Sequence, residues 1–347
     1  MEKEFARLLI EWYHEHKRDL PWRNTNDPYL IWISEIILQQ TRVAQGYAYY
    51  QRFIERFPNL ESLAASEENE VLKYWQGLGY YSRARNLHQA AISVNGVFPV
   101  RYEDILKLKG VGTYTAAAIC SFAYNQPHAV VDGNVYRVLS RFFGINEPID
   151  SGKGKKIFAS LAHDLLDKIQ PALYNQAIMD FGALQCTPLS PDCTVCPFKN
   201  RCFAFNHNMV SSLPIKQNKT KTSERFFYYL LIRDNGNIYL NKRTENDIWK
   251  NLYELPLIES NTALAVDDFI RKQEFASIFK ENSVVNVRLL NKTKHVLSHR
   301  IIYADFYELE AQDIKMDFLS KYTRLNMADL ELYPVSRLMH NFFENFL

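Results

Sequence analysis

The chain has 347 residues, 47% of them apolar and 23% charged, and its net charge is +2 from 41 basic and 39 acidic side chains. This length favours two domains, and the composition excludes long-range disorder. The charge balance excludes a broadly cationic protein, and the apolar runs are too short for a membrane span of about 20 residues. The first residues lack the layout of a signal peptide, so we expect a cytosolic protein.

Residues 1–205 show helical patterns almost throughout. The segment 29–42 is the clearest, because the helix-start signal Asp27-Pro28 precedes it. Three consecutive alanines strengthen the helix predicted over 113–123. The other predicted helices cover residues 45–57, 67–75, 83–94, 101–108, 134–143, 154–169 and 171–184.

The pattern changes in the second part of the chain. Residues 208–224 are polar and rich in lysine, which is typical of a linker. Two segments rich in aromatic and β-branched residues then flank Asn235-Gly236, which predicts a β-hairpin. We expect a multidomain chain with an all-α domain over 1–207 and an α+β domain over 225–347. Within the second domain the predictions are a helix over 266–280, strands over 284–290 and 299–309, and a last helix from Pro334 onward.

Four of the five cysteines lie close together with the spacing Cys-x6-Cys-x2-Cys-x5-Cys. In a cytosolic chain such a cluster favours metal binding over disulfide bonds. Zinc and an iron–sulfur cluster both accept four thiolates, and the single short Cys-x2-Cys pair favours iron–sulfur. Four unligated thiols are the remaining alternative. The cysteines are Cys186, Cys193, Cys196 and Cys202.

A glycine turn between two helices lies at residues 106–115. Only glycines form such a turn easily, and the second helix would begin directly after it. The backbone N–H groups at that helix start could bind an anion such as a DNA phosphate, although an ordinary tight turn is an equal alternative. The turn residues are Lys109, Gly110, Val111 and Gly112.

Two acids stand out by their surroundings. Glu35 lies among apolar residues in WISEIIL, where loss of solvent would favour a protonated carboxyl usable as an acid near neutral pH. The alternative is a solvated helix face. Asp132 precedes Gly133-Asn134 and a predicted helix, so its position alone favours a helix N-cap.

These features occur in one order, and together they resemble the helix–hairpin–helix DNA glycosylases of the endonuclease III superfamily. Within it, the chain is similar to the MutY-type adenine DNA glycosylases. The match spans residues 20–202, and its specific segments are LPWR (20–23), SEIILQQTRV (34–43), QGLGYYSRARNLH (76–88), LKGVGTYTAAAI (108–119) and VDGNVYRVLSR (131–141).

The resemblance implies catalytic roles. Glu35 matches the general acid that protonates adenine, and Asp132 matches the carboxylate that stabilises the sugar cation and bonds to it transiently. Tyr114 and Asn134 match residues that support that site. Trp22 and Arg23 would line the adenine pocket, and Gln40 and Tyr80 would wedge into the duplex around the damaged base. The chemistry agrees, because adenine is a poor leaving group until its ring is protonated, and the sugar then resembles an oxocarbenium ion.

The resemblance also implies a [4Fe–4S] cluster on the loop 186–202, with a structural role. Endonuclease III-like enzymes carry a nucleophilic lysine at the position of Tyr114, and tyrosine cannot form an imine. We therefore expect a monofunctional enzyme that removes adenine opposite 8-oxoguanine or guanine. It would act as a monomer on double-stranded DNA in a bacterial-type, nucleoid-associated cytosol. The alternatives are a thymine or oxidised-pyrimidine glycosylase/lyase on this fold, and a zinc-stabilised DNA-binding protein.

The C-terminal part resembles, less specifically, the Nudix-like (MutT-like) recognition domain of the same family. Its best local match is IWKNLYELP (248–256), and the acidic box that binds metal in Nudix hydrolases is absent. The resemblance therefore implies binding without a second reaction. HVLSHR (295–300) aligns with the family's Phe-Ser-His loop, so Ser298 and His299 would read 8-oxoguanine, with Leu297 in place of the phenylalanine.

Overall fold

The chain divides into two units in the computed structural model, which describes residues 2–218, 222–280 and 286–347. The first unit comprises Met1–Ala65 and Asn86–Lys219, and the second comprises Ser66–Arg85 and Thr220–Leu347. In this division the residues of the predicted all-α domain do not all fall in one unit. The segment 66–85 belongs with the C-terminal residues, where Arg85 Nη1 donates to the carbonyl of Lys250 at 2.7 Å.

Most residues before the predicted linker are helical, as the patterns predict. Their bounds are α1 Glu2–His16, α2 Pro28–Leu38, α3 Val43–Arg56, α4 Leu60–Ala64, α5 Glu68–Tyr74, α6 Ser82–Ser93, α7 Tyr102–Ile105, α8 Thr113–Tyr124, α9 Gly133–Phe143, α10 Gly152–Leu165, α11 Pro171–Asp180 and α12 Phe203–Asn206. Among the described residues, no helix combines the length and the apolar character that a bilayer crossing requires.

Helix α2 lies deep in the first unit. Asp27 caps it by accepting a hydrogen bond from the backbone N–H of Tyr29 at 2.8 Å, which confirms the predicted helix start. Residues 31–37 are all buried, and α2 packs against α8, whose alanines allow close approach. A carboxyl on α2 is therefore withdrawn from solvent by the packing of the whole helix.

Helix α11 continues into one turn of π-helix at Phe181–Gln185. Such turns are rare and often lie at functional sites. Gly182 lies in this turn, and a Cβ there would come within 2.6 Å of Asn134. The π-turn thus brings the end of α11 against the start of α9.

The second unit contains a mixed sheet in the order β3-β2-β1-β6-β5, with β4 also paired to β1 and β7 to β2. Strands β1 and β6 are parallel, and the other pairs are antiparallel. The strands are β1 Ser223–Asp234, β2 Asn237–Lys242, β3 Tyr253–Glu254, β4 Leu257–Ser260, β5 Arg288–Val296, β6 Arg300–Glu310 and β7 Thr323–Asn326, and the helices are α13 Val266–Ile270, α14 Gln273–Ala276, α15 Met316–Leu319 and α16 Arg337–Phe346.

Strand β1 is buried on both faces. Phe227 and Tyr229 pack with α16 on one face, and Tyr228 and Leu230 pack with α13 and α14 on the other. The predicted hairpin is confirmed, since β1 and β2 pair around Asn235-Gly236 with the register Asp234↔Asn237. Both turn residues have positive φ, as this turn requires.

Several predicted elements differ in the structure. The helices predicted over 29–42, 101–108 and 154–169 end earlier, at Leu38, Ile105 and Leu165. The helix predicted over 266–280 is two short helices, because Phe269 and Phe275 both face the sheet, and residues i and i+6 of one helix do not share a face. The last helix begins at Arg337, after the N-cap Ser336, and not at Pro334. The strand prediction for 299–309 is confirmed by β6, whereas the first two residues of the 284–290 prediction lie outside the described residues.

Candidate active site

A cavity of about 680 Å³ in the first unit brings together six of the residues singled out in the sequence. Its volume lies in the range typical of small-molecule sites. Its walls also include Arg18, Arg137, Gln176 and Met179, which sequence analysis did not identify. The six predicted residues in its lining are Trp22, Arg23, Glu35, Tyr114, Asp132 and Asn134.

Glu35 is buried in the wall of this cavity, with a 7% exposed surface. Loss of solvent raises its pKa to about 7, and the nearby Asp132 acts in the same direction. A hydrogen bond from the Tyr114 hydroxyl and the charge of Arg23 oppose the shift. Glu35 can therefore be a neutral acid at physiological pH, so the interpretation as a solvated helix face is wrong.

Asp132 is the N-cap of α9. Its Oδ1 accepts hydrogen bonds from the backbone N–H groups of Asn134 and Val135 at 2.9 and 2.8 Å. Its Oδ2 accepts from the Asn134 side-chain amide at 2.9 Å. Burial raises the pKa of Asp132, and these donors oppose the rise because they favour the ionised form. The same carboxylate thus caps a helix and lines the cavity.

Arg137 connects Asn134 to two backbone segments. Its guanidinium donates to Asn134 Oδ1 at 2.8 Å, to the carbonyl of Gly182 at 2.5 Å and to the carbonyl of Cys186 at 2.7 Å. Asn134 in turn donates to Asp132. The orientation of the Asp132 carboxylate therefore depends on the π-turn and on the first residue of the cysteine loop.

Arg23 and Trp22 form another part of the cavity wall. Arg23 donates to both carboxylate oxygens of Asp180 at 2.6 and 2.7 Å, and Arg18 binds the same carboxylate. Asp180 is fully buried, and the two arginines hold the pKa of this carboxyl below its usual range against the cost of burial. These hydrogen bonds fix Arg23 as a wall of the pocket, and because two arginines share one carboxylate, a positive charge remains there to act on Glu35.

Gln176 offers an oriented amide to the cavity. Its Oε1 accepts a hydrogen bond from the Tyr13 hydroxyl at 2.9 Å. In this orientation the amide oxygen is the end that faces Tyr13. The amide then has N–H donors and one acceptor lone pair for a base edge, the combination that glutamine presents to adenine.

The predicted glycine turn lies between α7 and α8. Gly110 has a φ of +81°, and a Cβ there would come within 2.8 Å of Asn86. Gly112 is the N-cap of α8 and provides no side-chain acceptor, so the first N–H groups of α8 are left for other partners. Lys109 is exposed beside the turn, and Val111 is buried beneath it.

Gln40 lies in the turn after α2, is exposed and has a φ of +58°. Its position is set by backbone constraints, since Thr41 N–H donates to the carbonyl of Leu38 at 3.2 Å. It does not line the 680 Å³ cavity. Positive φ is uncommon for a non-glycine residue and costs backbone energy at this position.

A second cavity, of about 480 Å³, lies in the C-terminal unit. Tyr80, Ser298 and His299 line it together, and the hydroxyl groups of Tyr80 and Ser298 are hydrogen bonded to each other. Tyr80 has a φ of +46° and is 46% exposed. Ser298 and His299, in the loop between β5 and β6, are also exposed. Leu297 packs on the core beneath this loop.

The four clustered cysteines line one cavity with Arg141 and Phe198. All of them are free thiols, and in the described residues no three His, Cys, Asp or Glu side chains meet the geometry for holding a metal ion. Burial raises the pKa of the Cys196 and Cys202 thiols, and the hydrogen-bond donors around them oppose this rise. Arg141 Nη1 lies 3.4 Å from Cys186 Sγ, and the backbone near Phe198 and Ala204 donates to Cys196 and Cys202.

Family comparisons agree with this arrangement. Residues 33–162 match the HhH-GPD superfamily base excision DNA repair protein model, and residues 228–345 match a NUDIX domain model. A solved thermostable thymine-DNA glycosylase is 31% identical with a TM-score of 0.56, over 59% of this chain and 97% of that one. An endonuclease III–DNA complex, at 22% identity and a TM-score of 0.52, shares the fold. The fold and the acid-lined cavity thus define a base excision DNA repair glycosylase.

Two relatives show which kind of DNA glycosylase this chain resembles. The chain is 37% identical over 311 residues to an adenine DNA glycosylase of Buchnera aphidicola subsp. Baizongia pistaciae, over 86% of this chain and 84% of the relative. It is 41% identical over 213 residues to the human adenine DNA glycosylase, over 58% of this chain and 39% of the relative. The chain belongs to the MutY-type adenine DNA glycosylase family.

Proposed function

We propose that this glycosylase removes adenine mispaired with 8-oxoguanine or guanine, without cutting the strand itself. The observation that carries the proposal is the buried Glu35, with a pKa of about 7, in the same cavity as Asp132. One carboxyl is suited to give a proton, and the other is suited to face a developing positive charge. These are the two roles that hydrolysis of an N-glycosidic bond requires.

Proton transfer begins the reaction. Neutral Glu35 gives its proton to a ring nitrogen of the flipped adenine, while Tyr114 and Arg23 stabilise the carboxylate that remains. The bond between the base and the sugar C1′ breaks, and its electron pair leaves with the base. The base must leave the helical stack to reach this enclosed cavity.

Asp132 supports the second half of the reaction. Its carboxylate stabilises the sugar cation and bonds to C1′ transiently, and water then replaces it with loss of a proton. Asn134 and the N–H groups of α9 hold the carboxylate in place. Tyr114 cannot form an imine with the sugar, so no lyase step follows from these residues.

Adenine itself would be held by Gln176, Trp22 and Arg23. The Gln176 amide is oriented by Tyr13, and of the two other residues in the cavity wall Trp22 is buried and Arg23 is partly buried. An amide that both donates and accepts matches the N6 and N7 edge of adenine. A pyrimidine lacks that edge.

The opposite base would be read by Ser298 and His299, with Tyr80 and Gln40 wedged into the duplex. The support is that both readers are exposed in one loop and that Tyr80 lines the same cavity as they do. Leu297 gives this loop an aliphatic anchor on the core in place of an aromatic one.

A [4Fe–4S] cluster would be held by Cys186, Cys193, Cys196 and Cys202. The four thiols line one cavity, and N–H groups donate to Cys186, Cys196 and Cys202, as hydrogen bonds to sulfur do around such clusters. When bound, the cluster supplies four iron–thiolate bonds that cross-link the loop. Arg137 links the carbonyl of Cys186 to Asn134, so a fixed loop would also fix the Asp132 carboxylate.

The glycine turn would bind a DNA phosphate through the free N–H groups of α8. We expect Gly110→Ala to weaken binding to duplex DNA roughly tenfold, because a side chain at this φ is strained by about 1–2 kcal/mol and meets Asn86. Excision measured with saturating enzyme should change little. Gly236→Ala is the matched control, with the same φ of +81° in the hairpin of the other unit. Equal DNA affinity for both variants would contradict the phosphate role.

The proposal is tested by a glycosylase assay on adenine opposite 8-oxoguanine, adenine opposite guanine and thymine opposite guanine. We expect release of adenine only and no covalent trapping on DNA with borohydride. Efficient trapping, or release of thymine, would favour the thymine or oxidised-pyrimidine glycosylase/lyase. We also propose that the enzyme acts as a monomer in the bacterial-type cytosol. A dimer in light scattering would contradict the monomeric state.

A further inference from the structure

Asp247 is the centre of an ion-pair cluster in the C-terminal unit. Its carboxylate accepts hydrogen bonds from Arg225 at 2.6 Å and from Arg243 at 3.0 Å, and it also binds Arg300. The acid lies in the segment after β2, whereas Arg225 lies on β1 and Arg300 begins β6. One carboxylate therefore ties three separate segments together.

The three arginines are not equally dependent on Asp247. Arg225 also binds Glu259 at 2.5 Å, and Arg243 also binds Glu254 at 2.9 Å. In the described part of the chain, Asp247 is the acid that pairs with Arg300. Loss of the Asp247 charge would thus leave Arg300 as the arginine without an ion-pair partner.

Arg300 closes the loop that carries Ser298 and His299. The Leu297 N–H donates to the carbonyl of Arg300 at 2.8 Å, and the Ser223 N–H donates to the carbonyl of His299 at 3.1 Å. The backbone of the loop is fixed at its ends, while Ser298 and His299 are exposed. The side chain of Arg300 is 35% exposed and, with Asp247, lines the cavity that these two residues line.

We propose that Asp247 is a positioning residue for discrimination of the base opposite adenine, because it holds Arg300 within the protein and so orients the Ser298-His299 loop. The inference rests on the proposed function of that loop. An Arg300 released from Asp247 would turn to the DNA and bind a phosphate, which carries no sequence information. That contact would strengthen binding to all duplexes alike, and the Ser298-His299 loop, no longer held through Arg300, would distinguish them less.

The test uses the whole protein and duplexes that carry a non-cleavable adenine analogue opposite 8-oxoguanine or guanine. The measured ratio is the dissociation constant of the guanine duplex divided by that of the 8-oxoguanine duplex. For Asp247→Asn we expect this ratio to fall about tenfold, while the salt dependence of binding steepens by about one phosphate contact. A general loss of structure would not steepen the salt dependence. Asp247→Glu should restore most of the discrimination.

Asp305→Asn is the matched control. Asp305 also forms an ion pair, with Lys292 at 2.7 Å on the same sheet, but it does not line the Ser298-His299 cavity. This variant should keep both the ratio and the salt dependence. If Asp247→Asn does not fold, Arg300→Gln breaks the same pair from the other side, and it should lower the ratio without steepening the salt dependence.

Unchanged discrimination in Asp247→Asn, or in Arg300→Gln where the first variant does not fold, would overturn the inference. Ser298→Ala separates this failure from failure of the proposed function. If Ser298→Ala lowers the ratio and Asp247→Asn does not, the loop reads the base without help from Asp247. If neither variant lowers it, the proposed reading by this loop fails as well.

Discussion

Replacing Glu35 by glutamine is expected to lower single-turnover release of adenine by about 10³-fold or more, with DNA binding retained. The glutamine fills nearly the same volume but has no proton to give, and general acid catalysis contributes roughly 10²–10⁴-fold. Tyr114 and Arg23 keep their positions around it. The measurement is rapid-quench excision of adenine opposite 8-oxoguanine with enzyme in excess. Glu55→Gln, an exposed change on α3, is the control that should keep full activity.

The stability of the same variant separates chemistry from misfolding. The pKa of Glu35 rises from its ordinary value of 4.5 to about 7 in the folded protein, so the folded state binds the proton more tightly. Its contribution to stability is fully present below pH 4.5 and is lost as the pH rises through about 7. At pH 8, Glu35→Gln should therefore raise the free energy of unfolding, by up to about 3 kcal/mol. A variant that is inactive because it is unfolded would have a lower free energy of unfolding than the wild type at this pH.

Replacing Asp132 by asparagine is expected to lower adenine release by about 10²–10³-fold with little loss of stability. Asparagine is as good an N-cap as aspartate, so α9 keeps its cap, although the Asn134 amide loses its acceptor because asparagine has a single side-chain oxygen. The negative charge that faces the sugar cation is lost, and such preorganised electrostatic groups contribute rate factors of this size. The measurements are single-turnover excision and thermal unfolding of the same preparation.

Asp132→Ala provides the comparison for the cap. Alanine removes both the charge and the capping acceptor, so we expect similar inactivity together with a loss of about 1 kcal/mol of stability. Ser151→Ala removes the cap of α10, which does not line the active-site cavity, and should lower stability without loss of activity. Full excision activity in Asp132→Asn would show that Asp132 is a cap and no more.

The local part of this account could be predicted from sequence. Glu35 is the acid in an apolar helix, and burial of α2 on nearly all sides follows from WISEIIL itself. The Asn235-Gly236 hairpin and the Asp27-Pro28 helix start are equally local, and the structure confirms both. Asp180 carries the same signal, a single acid in AIMDFGAL, and could have been found by the reasoning applied to Glu35.

Contacts between distant segments could not be predicted in this way. Arg137 reaches the carbonyl of Cys186, and Gln176 is oriented by Tyr13, far away in the chain. Residues 66–85 belong to the C-terminal unit although their pattern is helical. The break between α13 and α14 arises because two phenylalanines must face the same sheet, which a single helix does not allow.

The pH dependence of single-turnover adenine release from an A:8-oxoguanine duplex tests the central claim most directly. If neutral Glu35 gives the proton, the rate should be level below pH 7 and should fall about tenfold per pH unit above it, since the pKa is about 7. The residual rate of Glu35→Gln should not show this fall. A wild-type rate that stays level or rises from pH 7 to pH 9 would contradict the assignment of Glu35 as the acid.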